Sequence, residues 1–276
     1  RALVEACREI PAMTLTDKQR SVVSSYTHAV GLDECPKVIG ERINPTGKSR
    51  FKQALRENDL EYIFKEALAQ QDKGAHILDV NVGLPEIDEV KMMREVITGL
   101  QGITDLPLQI DTSDPVAMET AMRLYNGKPL LNSVNGKQES MDAVFPLAAK
   151  YGGMIVCLTL DENGIPQTAK GRIEIAEKII AEAAKYGIGK KDLLIDTLTM
   201  TISTGQENAA ITLDALHHVR HVLGVHTTLG VSNISFGLPQ RELVNTAFFT
   251  VALSKGLSAG IINPNSEAMM AAYHAY

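Results

Sequence analysis

The sequence has few cysteines, and they are not arranged for chemistry. Cys7, Cys35 and Cys157 are odd in number and far apart, and no two of them form a CxxC pair. This pattern indicates neither a disulfide framework nor a zinc site built on cysteine. We expect reduced cysteines with a structural role.

Long apolar runs and runs of basic residues are also absent. No apolar stretch approaches the roughly 18 to 20 residues of a membrane span, and the N-terminus carries Arg and Glu where a secretion signal needs an apolar core. The net charge is −6 over 276 residues, without the basic footprint of a nucleic-acid or anionic-membrane binder. We therefore expect a cytoplasmic protein whose partner is a small molecule or another protein, with no nucleic acid and no membrane.

Two phosphate-binding motifs are missing as well. The segment VIGERINPTGKSRF ends in GKS, but Gly40 and Gly47 are separated by six residues that include Pro45. A Walker A loop has four residues there, and proline lacks a backbone N–H that could bind phosphate. No GxGxxG follows the first predicted strand, which argues against a dinucleotide-binding fold.

Short apolar runs rich in β-branched residues recur from Lys37 onward, separated by amphipathic stretches with helical spacing. The predicted strands cover residues 37–42, 77–82, 107–112, 130–134, 154–160, 193–198, 227–233 and 260–264. Near-continuous apolar strands, each followed by a helix, indicate parallel strands covered by helices. Eight such units favour an α/β fold of the (β/α)8 TIM-barrel type over residues 37–276.

Residues 1–36 do not fit this repeat. They predict one short helix, a second helix capped by Thr16 or Asp17, and then irregular chain. The chain opens on Arg1 and ends in a sequence of mid-helix character. We therefore expect a piece of a longer protein, with residues 1–36 as a linker or appendage from an upstream domain.

Polar side chains cluster at the predicted carboxyl ends of the strands, where a TIM barrel carries its active site. They are Glu41, Arg42, Asn44, Asp79, Asn81, Asp111, Thr112, Ser113, Asn132, Ser133, Asn135, Asp161, Asn163, Asp196, Ser232, Asn233, Ser235, Asn263 and Asn265. At any one position Asp, Asn or Ser is also an ordinary turn or N-cap residue. Their coincidence on every strand instead predicts a binding site.

Carboxylates accept hydrogen bonds and carboxamides both donate and accept, which suits a neutral heterocycle bearing amino, ring N–H and carbonyl groups. Sugar phosphates fit poorly, because only Arg42 offers a cation within the strand ends and no glycine-rich anion loop follows the last strands. A pterin, whose aminopyrimidinone presents two adjacent donors to one carboxylate, fits well.

The runs VIGERINPTG, ILDVNVG, QIDTS, LLNSVNG, LLIDTL and LGVSNISFGLP occur in this order. Together they resemble the pterin-binding methyltransferase family, over residue 37 to about residue 272. That family comprises the folate-binding modules of cobalamin-dependent methionine synthases and the methyltetrahydrofolate:corrinoid protein methyltransferases. The resemblance implies a dihydropteroate synthase-like barrel that binds 5-methyltetrahydrofolate and passes its N5 methyl group to cob(I)alamin, which a partner domain or protein carries.

Site roles follow from the same resemblance. It implies that Asp111, Asn132 and Asp196 hold the pterin ring, and that Asn233 reaches N5 and stabilises developing charge. A water relay involving Asp111 would deliver the proton, which makes Asn233 and Asp111 the catalytic pair. The residues expected to support or wall the pocket are Asp79, Asn81, Ser232, Gly230, Asn44 and Arg42, and no metal site is expected.

Several alternatives stay open. Dihydropteroate synthase resembles the chain at INPT and LDVN, but SNIS and IINPN replace the basic residues that hold its pyrophosphate. A free-standing corrinoid methyltransferase and a non-catalytic folate-binding module are further readings. The appendage favours the methionine synthase type, with an upstream homocysteine-binding domain, and a homodimer is possible. His217 and His221 have zinc-compatible spacing, yet no carboxylate accompanies them as in HExxH, so a solvated helix face is expected.

Overall fold

The apolar runs form the strands of a closed parallel barrel. The computed structural model describes residues 1–11, 13–14, 16 and 18–276. Its strands are β1 (Val22–Ser24), β2 (Ala29–Gly31), β3 (Lys37–Ile43), β4 (Ile77–Val80), β5 (Leu108–Asp111), β6 (Leu130–Asn135), β7 (Met154–Leu158), β8 (Leu193–Asp196), β9 (His226–Gly230) and β10 (Ala259–Ile262). Strands β3 to β10 pair in chain order, and β10 closes the barrel by pairing with β3. The predicted (β/α)8 barrel is confirmed.

Amphipathic helices surround the barrel. They are α2 (Ser49–Glu57), α3 (Leu60–Asp72), α4 (Glu89–Leu100), α5 (Pro115–Leu124), α6 (Gln138–Tyr151), α7 (Ala169–Lys185), α8 (Asn208–His218), α9 (Arg241–Ser254) and α10 (Glu267–Ala275). Helix α1 (Ala2–Ala6) lies in the N-terminal segment and buries none of its residues. The helical stretch between β3 and β4 divides in two, because Asn58 adopts φ 53° and Asp59 caps the next helix through the Tyr62 amide. No helix among the described residues combines the length and apolarity needed to cross a membrane.

The barrel interior is apolar at the amino ends of the strands. Ile39, Ile77, Leu130, Val156 and Leu194 pack together there and are fully buried. Because side chains on a strand alternate between its two faces, the residues two positions later on the same strands also point inward. The carboxyl ends therefore bring polar side chains into the barrel mouth.

A β-hairpin closes the opposite end. Strands β1 and β2 pair antiparallel, and Val23 and Val30 are buried against the barrel interior. Asp33, just after the hairpin, accepts a 3.0 Å hydrogen bond from Nε2 of His226 in β9. The prediction of irregular chain before residue 36 was therefore wrong for this segment.

The rest of the N-terminal prediction has a mixed outcome. Helix α1 is present, but Thr16 and residues 18–20 are not helical, and Asp17 lies outside the described residues. The assignment of residues 1–36 to an upstream domain stays a prediction.

Candidate functional site

One layer of polar side chains lines the barrel mouth. The alternation along each strand puts Asp79 above Ile77, Asn132 above Leu130, and Asp196 above Leu194. The same alternation adds Glu41, Asp111 and Gly230 from their strands. The structure thus brings together most of the residues that the sequence predicted for the pocket.

Asp79 is a buried carboxyl group within a hydrogen-bond network. It is 3% exposed, and its Oδ1 accepts a 2.6 Å hydrogen bond from Nε2 of Gln109. Asn44 also hydrogen-bonds to it, while the Oδ1 of Asn44 accepts from the Thr46 amide at 2.9 Å. Burial, followed by the nearby Asp111 carboxylate, raises the pKa of Asp79 well above its usual value. Burial and the neighbouring carboxylate thus favour the protonated form of Asp79, which supports the floor of the site through its hydrogen bonds.

Asp111 lies beside it on β5. Nδ2 of Asn81 donates to Oδ2 of Asp111 at 3.0 Å, and Oδ1 of Asn81 accepts from the Gly83 amide at 3.0 Å. Burial raises the pKa of Asp111 to about 6, with a further increase from Glu89 and a reduction from the Asn81 hydrogen bond. Asp111 can therefore both accept and release a proton near neutral pH.

Asp196 lies on β8. It is 7% exposed, and its Oδ1 accepts a 2.7 Å hydrogen bond from the amide of Leu198. Burial raises its pKa to about 7, although the Leu198 amide and the Arg172 guanidinium act in the opposite direction. A hydrogen-bond donor from a ligand would favour the charged form of this carboxyl group.

Asn132 offers a carboxamide without a partner. It pairs with Asp111 in the strand register, and its backbone carbonyl accepts from the Thr112 amide at 3.0 Å. Its half-exposed side chain makes no hydrogen bond within the described part of the chain. Its amide N–H and carbonyl are thus free to bind a ligand between Asp111 and the next strand.

A short 3₁₀ turn after β9 carries Ser232 and Asn233. Ser232 Oγ donates to Oε1 of Glu41 at 2.9 Å, which ties the turn to β3 across the mouth. Burial raises the pKa of Glu41. Asn233 is exposed, and a Cβ at Gly230 would lie 3.2 Å from its Nδ2. Glycine at 230 therefore leaves room for the Asn233 amide at the rim.

Two basic residues that were not predicted from the sequence also lie at the mouth. Nζ of Lys48 donates to the Glu41 carbonyl at 2.7 Å, and burial lowers its pKa. Arg241 donates to the Ser232 carbonyl and to Oγ of Ser235, both at 2.9 Å. Lys48 caps α2 and Arg241 begins α9, so their positions at the mouth depend on how the loops before these helices fold. Arg42 is still the cation that the strand ends themselves carry, and these two residues add positive charge from outside the strands.

Arg42 itself is directed toward α3. Its Nε forms a 3.2 Å ion pair with Oε2 of Glu66, and its amide donates to Oε1 of Gln70. It makes no hydrogen bond to the Asp and Asn cluster within the described residues. Its role in binding a pterin therefore stays a prediction without contact support.

Other members of the predicted ring act as turn residues. The side chains of Asn135, Asp161 and Asn263 each accept a hydrogen bond from the amide two residues later, at 2.8 to 3.1 Å. This is the ordinary turn role of Asx residues. His217 in the last turn of α8 and His221 in the π-helical turn that follows are both exposed, with ring centroids 4.5 Å apart.

The mouth thus combines carboxyl groups that titrate near neutrality with free carboxamide groups. Asp111 and Asp196 accept hydrogen bonds when ionised, whereas Asn132 and Asn233 both donate and accept. This set complements the amino, ring N–H and carbonyl groups of a neutral heterocycle.

Comparisons with known proteins identify relatives over most of the chain. The chain is 34% identical over 258 residues to a methionine synthase from Mycobacterium tuberculosis, matching 88% of this chain and 22% of that protein. It thus spans about a fifth of the length of the methionine synthases it matches. It is also 32% identical to a methylcorrinoid:tetrahydrofolate methyltransferase from Eubacterium limosum, covering 86% of this chain and 89% of that protein.

Solved structures show the same barrel. A dihydropteroate synthase from Xanthomonas albilineans with 4-aminobenzoic acid superposes with a TM-score of 0.72 at 22% identity, covering 92% of this chain and 96% of that one. A Yersinia pestis dihydropteroate synthase gives the same TM-score and coverage at 18% identity. At this identity the likeness shows the fold alone. The family described as pterin binding enzyme matches residues 40–263, and this chain belongs to that family.

Proposed function

We propose that the chain binds 5-methyltetrahydrofolate and transfers its N5 methyl group to cob(I)alamin on a partner domain, as part of methionine synthesis. The observation that carries this proposal is the convergence of Asp111, Asn132 and Asp196 on one mouth, with Asn233 at the rim. The names of the relatives, methionine synthase and methylcorrinoid:tetrahydrofolate methyltransferase, support a methyltransferase that uses folate and a corrinoid.

The ring-binding role rests on hydrogen-bond chemistry. An ionised Asp196 accepts from the two adjacent donors of an aminopyrimidinone, while the free carboxamide of Asn132 bonds to its polar edge. Asp111 is held by Asn81, so its carboxylate has a fixed orientation. Asp79, Asn44 and Asn81 would keep this floor rigid, because each has a hydrogen-bond partner in the mouth.

Methyl transfer needs help at N5, because a tertiary amine is a poor leaving group. The corrinoid co-substrate supplies the nucleophile that takes the methyl group. The electron pair of the broken C–N bond stays on N5, which then gains a proton. The amide of Asn233 would stabilise the developing charge, and a water relay from Asp111 would deliver the proton. Ser232 would position Asn233 through its hydrogen bond to Glu41. Gly230 would do so by leaving room for the Asn233 amide.

Dihydropteroate synthase activity is a weaker candidate. That enzyme's anion site needs free basic groups after the seventh and on the eighth barrel strand. Here the turn reads Ser232 to Ser235, and Arg241 is engaged with Ser232 and Ser235. The eighth barrel strand ends at Ile262 and is followed by Asn263.

The setting of the reaction has two forms. In the first, the chain is one module of a longer methionine synthase, with a homocysteine-binding domain upstream of residues 1–36 and a cobalamin domain elsewhere. In the second, it is a free-standing methyltetrahydrofolate:corrinoid protein methyltransferase, which the 89% coverage of the Eubacterium limosum relative favours. A homodimer belongs to this second form.

An anaerobic assay tests the proposal. The protein is mixed with methyltetrahydrofolate and reduced cob(I)alamin, and methylcobalamin formation is followed by its visible spectrum. We expect formation above the uncatalysed rate. Tight folate binding without transfer, even after a corrinoid domain is added, would identify a binding module instead. Condensation of 4-aminobenzoate with a pterin pyrophosphate would identify a dihydropteroate synthase.

A further inference from the structure

Arg172 on α7 is a fully buried arginine to which the proposed reaction assigns no role. It is 0% exposed, and within the described residues it forms no direct ion pair. Its Nε donates to the Pro166 carbonyl at 3.1 Å, and its Nη1 donates to the carbonyls of Thr197 and Leu198 at 2.7 and 2.8 Å and to Oγ1 of Thr212 at 2.9 Å. Burying an unpaired cation is unfavourable, so this placement calls for an explanation.

The accepting carbonyls follow Asp196 directly in the chain. Leu198 adopts φ 62°, a left-handed conformation that is strained for a non-glycine residue. This conformation directs the Leu198 amide onto Oδ1 of Asp196 at 2.7 Å. By binding the carbonyls of Thr197 and Leu198, Arg172 stabilises the turn that orients the carboxyl group.

The positive charge of Arg172 also acts on the carboxyl group of Asp196. The strands beside Asp196 present Leu158 and Thr228 in register with it, and neither ionises. Burial raises the pKa of Asp196, and Arg172 is the only charged side chain that shifts it among the described residues, in the lowering direction. Asp196 reciprocally supports the charge of Arg172, whose own pKa burial lowers.

We propose that Arg172 is a positioning residue for Asp196: it fixes the turn that orients the carboxyl group and supplies the positive charge behind it. The consequence for folate rests on the proposed function, since an ionised Asp196 accepts the pterin's donors. The link between Arg172 and Asp196 itself does not depend on it.

The first test needs no ligand. The carboxyl titration of Asp196 is followed by carbon NMR in the folate-free chain, with the resonance assigned by its loss in Asp196→Asn. Arg172→Met removes the charge at similar length, and we expect the midpoint to move to higher pH. Arg172→Lys keeps the charge and is expected to stay closer to the original protein than Arg172→Met. Thr212→Val, the control for the turn without the charge, removes a neutral hydroxyl that bonds to Arg172 and to the Leu198 carbonyl, and it is expected to move the midpoint less than Arg172→Met does.

The second test measures tetrahydrofolate affinity at pH 7. Arg172→Met is expected to weaken binding about tenfold or more, with recovery at higher pH, because less Asp196 is ionised. In an Asp196→Asn background, Arg172→Met is expected to change tetrahydrofolate affinity less than about threefold. The two effects are not additive, because Arg172 acts through Asp196.

Two results would overturn the inference: an unchanged Asp196 midpoint in folded Arg172→Met, or equal loss of affinity with and without Asp196. If Arg172→Met does not fold, Arg172→Lys tests the inference in its place. Lysine lacks the branched set of N–H donors of the guanidinium, so folate binding is expected to weaken, while the retained charge is expected to hold the titration midpoint of Asp196. A shifted midpoint in Arg172→Lys would then refute the charge role. Lack of folate binding by the original chain would contradict the proposed function, whereas the NMR result would still decide the link.

Discussion

Asp196→Asn is expected to stabilise the folate-free protein at pH 8 while it weakens folate binding. The pKa of Asp196 rises from 3.8 to about 7 on folding, mainly through burial. The folded state therefore binds this proton more tightly than the unfolded state. The associated stability is fully present below pH 3.8 and is lost as the pH rises to about 7.

The size of the effect follows from the shift. At about 1.4 kcal/mol per unit, a rise of this size corresponds to about 4 kcal/mol of unfolding free energy between the two ends of that range. Asparagine is neutral throughout and keeps an oxygen for the Leu198 amide. We expect the variant to melt about 7 °C higher at pH 8 but only about 3 °C higher at pH 5, where the unfolded carboxyl group is largely ionised and the folded one is still protonated.

The assay is thermal unfolding by circular dichroism at both pH values, paired with calorimetric titration of tetrahydrofolate. Binding is expected to weaken about 100-fold at pH 8, because a charged acceptor of two hydrogen bonds is lost. A melting difference that is equal at pH 5 and pH 8, or a variant that is less stable at pH 8, would refute the reasoning.

Three further predictions concern other residues. Asn233→Ala is expected to lower methyl transfer about 100-fold or more with a smaller loss of folate affinity; equal losses in a rate assay and a binding assay would contradict its role at N5. Gly230→Ala is expected to slow transfer about tenfold, because its Cβ would lie 3.2 Å from Nδ2 of Asn233; an unchanged rate would show that the amide need not hold this position. Tyr125→Phe is expected to cost about 1–3 kcal/mol of stability, since the hydroxyl donates to the Ser24 carbonyl and accepts from the Leu108 amide. Folate affinity should stay unchanged there, and a large loss would connect the base of the barrel to its mouth.

The barrel was predictable because its strands carry their own pattern. Side chains alternate between the two faces of a strand, so Ile77 and Asp79, two positions apart, share a face. One apolar inward position therefore predicts that the polar residue two positions later also points inward. The hairpin was not predictable in this way. Val22–Ser24 and Ala29–Gly31 are three residues each, and they are ordered by packing against distant parts of the chain.

The site residues at strand ends were predicted from the sequence. The residues that helices and loops bring to or behind the site were not. Arg172 lies within the amphipathic run RIEIAEK, where it would be expected on a helix surface. Lys48 and Arg241 reach the mouth through loops whose path the sequence does not specify. Arg42 shows a related limit, because local pattern places it at a strand end but does not reveal its ion pair with Glu66.

The proposed function depends on binding of a pterin ring by the Asp and Asn cluster. The most direct measurement is a crystal structure with saturating methyltetrahydrofolate. We expect the aminopyrimidinone within hydrogen-bond distance of Asp111, Asn132 and Asp196, with N5 beside Asn233. A ligand bound elsewhere, or an empty mouth at saturation, would contradict it.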